Sequence, residues 1–241
     1  MSTLIILICS YNSVRFVKDC LNSLASQEYG GAPFKVLFLD DGSRDDSFKI
    51  ALSYVYVIPG LRILRNKNNK GLVYSCNKAL KHIDTPYFMR LDTDDYLAKD
   101  AVSIIFDNLS CAKDNVFMVF NRWEVLKGKD KKINPSVTHD MFSWLAAGTV
   151  FNTLAVRGVG GYSDEYWEEY DLYLKLLRSG FKAKVYPHRI YFYRRGYGGM
   201  TGNLSEKKEG LKSLIDKWGS KVLNKYGNFK KFISYYGMRI G

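Results

Sequence analysis

Residues 87 to 96 read Tyr-Phe-Met-Arg-Leu-Asp-Thr-Asp-Asp-Tyr, an apolar run that ends in Asp92, Asp94 and Asp95. Two carboxylates one residue apart at the end of a strand project the same way and can share a hard cation. A cation held there suits a diphosphate leaving group, because it bridges phosphate oxygens and absorbs the charge that builds as a bond breaks. No lysine or arginine stands within the acidic triplet to neutralise it, although a plain polar turn after a strand would use the same residue types.

The elements that must position this cluster follow from periodicity. Leu4 to Cys9 is a continuous aliphatic run and reads as a buried parallel strand, with Ser10-Tyr11-Asn12 as its turn. Val14 to Gln27 carries apolar positions at helical spacing, Phe34 to Leu39 is a second strand, and it ends in Asp40-Asp41-Gly42-Ser43. Asp45 to Ser53 reads as helix, Leu61 to Leu64 as strand, Gly71 to His82 as helix and Tyr87 to Leu91 as the fourth strand. Strand and helix in strict alternation predict an α/β architecture, a mainly parallel sheet flanked by helices. Ligands of such sheets collect at the carboxyl ends of the strands. The turns after strands one, two and four should therefore face one crevice, gathering Asp40, Asp41, Asp92, Asp94 and Asp95. Like charges in a desolvated cleft need a cation or hydrogen-bond donors to hold them.

Beyond residue 100 the pattern loosens. Lys99 to Asn108 reads as helix, Asn115 to Leu126 as strand and Gly128 to Lys132 as a basic turn. Met141 to Ala147 reads as a short helix leading into a strand after Gly148. Gly158, Gly160 and Gly161 mark a flexible loop, Tyr170 to Arg178 a helix stopped by Gly180, and Ala183 to Tyr186 and Arg189 to Arg194 two short strands.

The chain has 241 residues, 46% of them hydrophobic and 15% aromatic, enough for a large core. No apolar run is long enough to span a bilayer. The four cysteines Cys9, Cys20, Cys76 and Cys111 match neither a paired metal-ligand spacing nor a disulfide framework, and are expected to be reduced thiols in a cytoplasmic protein. His82, His139 and His188 are expected at the surface or in packing. The net charge of +12 calls for an anionic partner: nucleic acid, anionic lipid or a phosphorylated substrate. Residues 204 to 241 hold nine basic against three acidic residues, interleaved with Trp218, Tyr226, Phe229, Phe232, Tyr235 and Tyr236. Two readings are open: an interfacial helix with aromatics at lipid headgroup level, or a packed helix with a solvated basic face.

Taken in order, Cys9-Ser10-Tyr11-Asn12, Asp40-Asp41-Gly42-Ser43, Asn69-Lys70-Gly71 through Asn77, the Asp92 to Asp95 cluster, Gly160-Gly161-Tyr162, Trp167-Glu168-Glu169-Tyr170-Asp171-Leu172 and Tyr193-Arg194-Arg195 resemble the inverting glycosyltransferases of family two. The resemblance runs over residues 3 to about 200. It implies a GT-A fold, with a nucleotide-binding half (1–98), a smaller acceptor-binding half (99–203) and a basic aromatic C-terminal helical appendage (204–241). It further implies a nucleotide-diphospho-sugar donor, UDP-sugar favoured, and a divalent cation, Mn2+ or Mg2+. The acceptor would be a glycan or lipid-linked hydroxyl; the protein is expected to be cytoplasmic, with the basic aromatic tail as the segment that could dock it on the inner face of a membrane, and no nucleic acid is expected as partner. Asp41 is then expected at the nucleobase edge, beside Asp40, with Cys9, Tyr11 and Asn12 lining the base site. Lys70 would meet base or phosphates, Asp92 the ribose or donor sugar, and Arg194 or Arg195 the diphosphate. Asp94 is the expected metal ligand, with Asp95 as alternative and Asp92 beside them.

Inversion is a single displacement, so one carboxylate must take the acceptor's proton. Glu169 is the first choice, then Asp171, with Glu168 a third. The family pattern has aspartate where this chain has Glu169. Helical geometry places Glu168 and Asp171 on one face and Glu169 opposite Asp171. A second departure is Gly196-Tyr197-Gly198-Gly199-Met200-Thr201 where many relatives carry a histidine; its glycines suggest a loop that closes over the donor. A nucleotidyltransferase is disfavoured because the first turn lacks a glycine-rich phosphate cradle. A nucleic-acid-binding protein is disfavoured because the basic residues do not gather at the cleft.

Overall fold

A computed structural model describes residues 3–28, 34–110, 115–127, 132–133, 137–197 and 204–238. Four parallel strands form the first half: β1 (Leu4–Ser10), β2 (Phe34–Asp40), β3 (Leu61–Arg65) and β4 (Tyr87–Arg90). Between them run α1 (Val17–Ala25), α2 (Ser47–Ser53) and α3 (Leu72–Lys81), as the sequence alternation requires. The second half adds β5 (Tyr96–Leu97), α4 (Ala101–Leu109), β6 (Val116–Leu126), β7 (Lys132–Ile133), β8 (Thr149–Asn152), α5 (Thr153–Gly158), α6 (Glu168–Arg178) and β9 (Lys182–Arg195). It closes with α7 (Leu204–Trp218), α8 (Ser220–Tyr226) and α9 (Phe229–Ser234). One sheet runs β3-β2-β1-β4-β8-β6-β9-β5, with β7 paired to β6. It is mixed: β8 lies antiparallel to both β4 and β6, whereas β6 and β9 are parallel.

The unbroken aliphatic strands have a simple cause, since both faces of the sheet are covered. On β1, Ile5 and Leu7 enter the core shared with α3 and α6, and Leu4, Ile6 and Ile8 enter the core shared with α1 and α4. All five are fully buried, each contributing about 1.5–3 kcal/mol relative to exposure.

Several expected boundaries move. Helix α1 starts at Val17 instead of Val14 because the preceding amides have other partners: Ser13 N donates to Ser47 Oγ and Val14 N to Asp45 Oδ2. The helix expected at Met141–Ala147 is a single 3-10 turn, Met141–Ser143, capped by Asp140. The glycine-marked loop at 158–161 is the end of α5, with Gly160 and Gly161 at positive φ closing the turn after it. The two short strands at 183–194 are one, β9. Pro187, which lacks an amide hydrogen, sits at a register shift opposite Phe120–Asn121, and Asn121 Nδ2 donates to its carbonyl. The basic turn expected at 128–132 lies mostly outside the described residues.

The C-terminal helices are not an appendage. Leu211, Leu214, Leu223, Phe229 and Ile233 belong to the core that also contains α3 and α6. Phe232 stacks on Phe142 at 4.7 Å and meets Tyr170 and Trp167 edge-on, and Trp218 Nε1 donates to Asp171. The aromatics of this segment thus pack inward, apart from exposed Tyr235, and the reading that placed them at a lipid headgroup level is corrected. Among the described residues no helix is long and apolar enough to cross a membrane.

Candidate active site

The ends of β1 and β2 are stitched together before any ligand is considered. Asp41 N donates to Ser10 O, Asn12 N to Ser43 Oγ, and Arg44 N to Asn12 Oδ1. Asn12 adopts φ 47°, a left-handed turn that asparagine tolerates. Asp40, expected to touch the donor, is fully buried and accepts from Arg65 Nε at 3.0 Å and Ser43 N at 3.2 Å, so it caps its own turn. Asp41 is also committed. Its two oxygens accept Asn66 Nδ2 at 2.7 Å, Lys70 N at 3.0 and 3.1 Å and Gly71 N at 2.8 Å, which leaves little capacity for a nucleobase edge. These aspartates shape the rim, Asp41 by folding residues 66–71 onto the crevice. Tyr11 and the Lys70 side chain stand exposed on that rim. Cys9 faces inward, its sulfur 3.7 Å from that of Cys76, and that thiol contact together with burial raises its pKa.

At the end of β4 one member of the acidic cluster, Asp92, has a cation after all. Arg90 is 5% exposed and its guanidinium lies 2.9 Å from Asp92 Oδ1 and 2.9 Å from Glu168 Oε1. Arg90 was legible: it precedes Asp92 by two residues, which on a strand places both on one face. The three aspartates then divide. Asp95 is 1% exposed, accepts Arg194 N at 2.7 Å and the Tyr191 hydroxyl at 2.8 Å, and burial beside Asp94 and Asp92 pushes its pKa up to about 8. It ties β4's turn to β9 and is withdrawn as a metal ligand. Asp94 is half-buried, no side chain among the described residues donates to its carboxylate, and burial together with Asp92 pushes it up to about 6.

Among the described residues no three His, Cys, Asp or Glu converge as a metal cluster, so the Asp92, Asp94, Asp95 triad is not assembled. Asp92 and Asp94 still offer hard oxygens, and an ion such as Mg2+ takes one or two carboxylates and completes its shell with water and substrate phosphate. The donor set fits that role. The arginines do not reach out as expected. Arg194 pairs with Asp19 at 2.6 Å, donates to the Asp94 carbonyl and lies over Tyr96, while Arg195 pairs with Glu124 at 2.7 Å. Both are structural clamps here, and the glycine segment beyond Tyr197 lies mostly outside the described residues. All three histidines are exposed.

On α6 the three carboxylates separate by direction. Glu168 begins the helix, is 4% exposed and turns to Arg90. Asp171, one turn on, meets other partners, accepting Trp218 Nε1 at 2.9 Å and Lys217 Nζ at 2.8 Å, with Lys175 Nζ at 3.4 Å. Burial would raise its pKa, but the bonds from Lys217, Ser163 and Trp218 hold it below the usual range. Glu168 and Asp171 stand one turn apart on α6 but are taken up by different elements. Side chains in the first turn lean back past the helix start, so Glu168 reaches the β4 end that Asp171 cannot. Asp171 is an anchor for α7, which removes it as a base. Glu169 remains half-buried beside Glu168, and burial and that neighbour raise its pKa well above the ordinary carboxylate value. Burial wins over the helix dipole, which would lower it.

Between α3 and the segment leading into α6 lies a cavity of about 740 Å3, lined by Lys70, Tyr74, Tyr162, Asp164, Tyr166 and Glu168 among others. The crevice thus joins Asp92, Arg90 and Glu168 in one line. Residues 5–159 match the family model for glycosyl transferase family 2. The chain belongs to glycosyl transferase family 2.

This family 2 chain is 31% identical over 111 residues to the teichoic acid poly(glycerol phosphate) polymerase of Staphylococcus epidermidis, a match covering 46% of the chain but only 15% of that polymerase. Among solved structures it superposes on residues 1–349 of S. aureus TarS in complex with UDP-GlcNAc with TM-score 0.73 and 17% identity, covering 98% of this chain and 73% of that one. A mannosyltransferase, PcManGT from Pyrobaculum calidifontis, in complex with GDP-Man and Mn2+, gives TM-score 0.72 at 15% identity, covering 89% and 63%. At these identities the likeness is one of fold, the GT-A arrangement.

Proposed function

We propose that the family 2 chain transfers a glycosyl group from a nucleoside-diphosphate sugar, UDP-sugar first, to a hydroxyl of a glycan or lipid-linked acceptor, inverting the anomeric centre in a single displacement. The observation that carries this reading is Arg90, which holds Asp92 on the donor side and Glu168 on the acceptor side within one ion-paired line. Glu169, adjacent to Glu168, takes the proton from the acceptor hydroxyl as its oxygen attacks the anomeric carbon and the nucleoside diphosphate departs with the bonding electrons. Asp92 and Asp94 would hold Mn2+ or Mg2+, whose charge stabilises the departing diphosphate. Asp41 and Asn12 fix the rim on which Tyr11 and Lys70 meet the nucleotide.

UDP is supported by the TarS complex and GDP by the PcManGT complex, so the base is decided by measurement. Isothermal titration of UDP and GDP, with and without Mn2+, is expected to give metal-strengthened binding of one nucleotide. Equal, metal-independent indifference to both would end the reading. The reading also keeps a lipid-linked acceptor at the inner face of a membrane, where exposed Lys212, Lys221 and Lys230 are the groups available to anionic lipid. Charge reversal of these three should reduce sedimentation with phosphatidylglycerol vesicles.

A further inference from the structure

Two thiols meet where β1 runs out beneath the crevice. The sulfurs of Cys9, half-buried near the end of β1, and Cys76, fully buried on α3, lie 3.7 Å apart in the same core. They are the one pair of cysteines in contact among the described residues; Cys20, also fully buried, turns its sulfur to the Asp92 carbonyl at 4.0 Å. A disulfide holds its sulfurs at about 2.0 Å, so a closure of about 1.7 Å would join Cys9 to Cys76.

Both residues are bonded into the ion-paired line above them. The Cys9 carbonyl accepts Thr93 Oγ1 at 3.1 Å, and Thr93 stands between Asp92 and Asp94. On α3, Asn77 follows Cys76 and holds the Tyr162 backbone twice, donating Nδ2 to its carbonyl at 2.7 Å and accepting its amide at 2.9 Å. The Arg90 guanidinium in turn lies 6.0 Å from the centre of the Tyr162 ring. A shift of Cys9 is therefore passed to the turn that carries Asp92 and Asp94, and a shift of Cys76 to Arg90. Close-packed interiors transmit such displacements instead of absorbing them.

We infer that Cys9 and Cys76 are a redox switch: hydrogen peroxide closes them into a disulfide, and the disulfide disables the crevice for transfer. The bond itself is independent of any function given to the chain, whereas its effect on transfer rests on the glycosyltransferase reading above. Cys9, the thiol nearer solvent, attacks one peroxide oxygen as its thiolate. The O–O bond breaks, the departing hydroxide takes the proton that Cys9 gave up and leaves as water, and Cys9 becomes a sulfenic acid. The Cys76 sulfur then attacks the Cys9 sulfur; the S–O bond breaks, and hydroxide departs with the Cys76 proton as a second water. Two thiols have lost two electrons and two protons to one peroxide, and a thiol reductant reverses the bond by exchange. The hydrogen bond with Cys76 and burial raise the Cys9 pKa, which keeps the pair a dithiol at rest and makes the first step the slow one. A displacement of about 1 Å at a reacting group costs about 100-fold in rate, and the closure exceeds that.

The test treats the reduced 241-residue chain with hydrogen peroxide, blocks the remaining thiols with N-ethylmaleimide in denaturant and maps its peptides without reduction. Turnover and calorimetric affinity for UDP-sugar and GDP-sugar are measured before treatment, after it, and after dithiothreitol. The expected result is a Cys9–Cys76 cross-linked peptide, a kcat at least about tenfold lower in the cross-linked protein, and recovery with dithiothreitol. Cys76→Ala removes the second thiol and should leave Cys9 as a sulfenic acid that dimedone captures; should this variant not fold, the wild-type map still decides the bond. The absence of a Cys9–Cys76 cross-link, a cross-link to Cys20 or Cys111 in its place, or a Cys9–Cys76 bond that leaves kcat unchanged overturns the inference. If neither nucleotide sugar binds the reduced protein, the glycosyltransferase reading falls and the effect on transfer falls with it, while the peptide map decides the bond on its own.

Discussion

Replacing Arg90 by methionine removes the one cation that joins the two halves of the crevice. Its guanidinium is 2.9 Å from Asp92 and 2.9 Å from Glu168, and the Arg90 and Glu168 side chains are 7% and 6% exposed. Two unit charges about 4 Å apart attract by about 4 kcal/mol at an effective dielectric of 20, most of it offset by desolvation. Deleting one partner is different, because the other stays buried and unpaired, and such deletions cost about 3–5 kcal/mol. Asp92, with its side chain 31% exposed, is partly rescued by water, so the cost is assigned to Glu168. Glu168→Gln leaves Arg90 paired with Asp92 and should cost about 1–2 kcal/mol as a weakened hydrogen bond. In the double variant no charge is stranded at position 168, so the two losses should fall short of additivity by about 2 kcal/mol. Urea denaturation of the four proteins at neutral pH measures this cycle directly. In turnover, Arg90→Met should lower kcat about 100-fold, the scale of a 1 Å misplacement. Losses that add within about 0.5 kcal/mol, or a single-variant cost under about 1 kcal/mol, would refute the strut.

Glu169→Gln should lower kcat by about 100- to 10,000-fold with donor affinity preserved; because the Glu169 pKa is raised, wild-type activity should lose its acid limb at a pH well above the ordinary glutamate value of about 4.3, and the variant's residual activity should lack that limb. Asp171→Asn should leave the pH profile of kcat in place and destabilise by about 2–3 kcal/mol, below the figure for a fully buried pair because Lys217 is 37% exposed. The Asp171 pKa is depressed, so its contribution is fully present above the unfolded value of about 3.9 and fades as pH falls through the lower folded one; stability curves of variant and wild type should converge in acid. Gly42→Ala should destabilise by at least about 2 kcal/mol and weaken nucleotide binding, since Gly42 sits at φ +72° and a Cβ there would come 2.6 Å from the Asn68 backbone carbon.

The first half of the fold was legible because each of its signals is local. Unbroken aliphatic strands separated by amphipathic helices force a parallel sheet, and the polar turns must then sit at one edge. What the sequence concealed was the direction of individual side chains. Asp40, Asp41 and Asp95 look the same as Asp92 and Asp94 in a string of letters, yet three are used up by Arg65, by the Lys70 and Gly71 amides, and by Tyr191 and the Arg194 amide. Those partners lie 25 to about 100 residues away, beyond any periodicity. Asp171 was misplaced for the same reason, its partners Lys217 and Trp218 being contributed by a helix 47 residues downstream. Two partners could have been found locally: Arg90, from the two-residue spacing to Asp92, and Lys175, from its i,i+4 spacing to Asp171 on α6.

Helix α6 is gripped by two neighbouring elements, and this explains how Glu169, the proposed base, can be held steady. At its start Glu168 is drawn toward β4 by Arg90; one turn on, Asp171 is drawn the other way by Lys217 and Trp218 of α7. A helix pinned at two points by different neighbours cannot roll about its axis without breaking one of the pairs. Glu169 lies between these pins in sequence and shares a side-chain hydrogen bond with Glu168, so its orientation follows from theirs. The C-terminal segment therefore bears on the reaction through α6, and its aromatics are inside because α7 must sit close enough for Lys217 to reach Asp171. Removing residues 204–241 would leave the Asp171 carboxylate with Lys175 as its ion-pair partner and uncover Phe142, Trp167 and Tyr170 together, so membrane association is better tested by exchanging the exposed lysines of these helices than by deleting them.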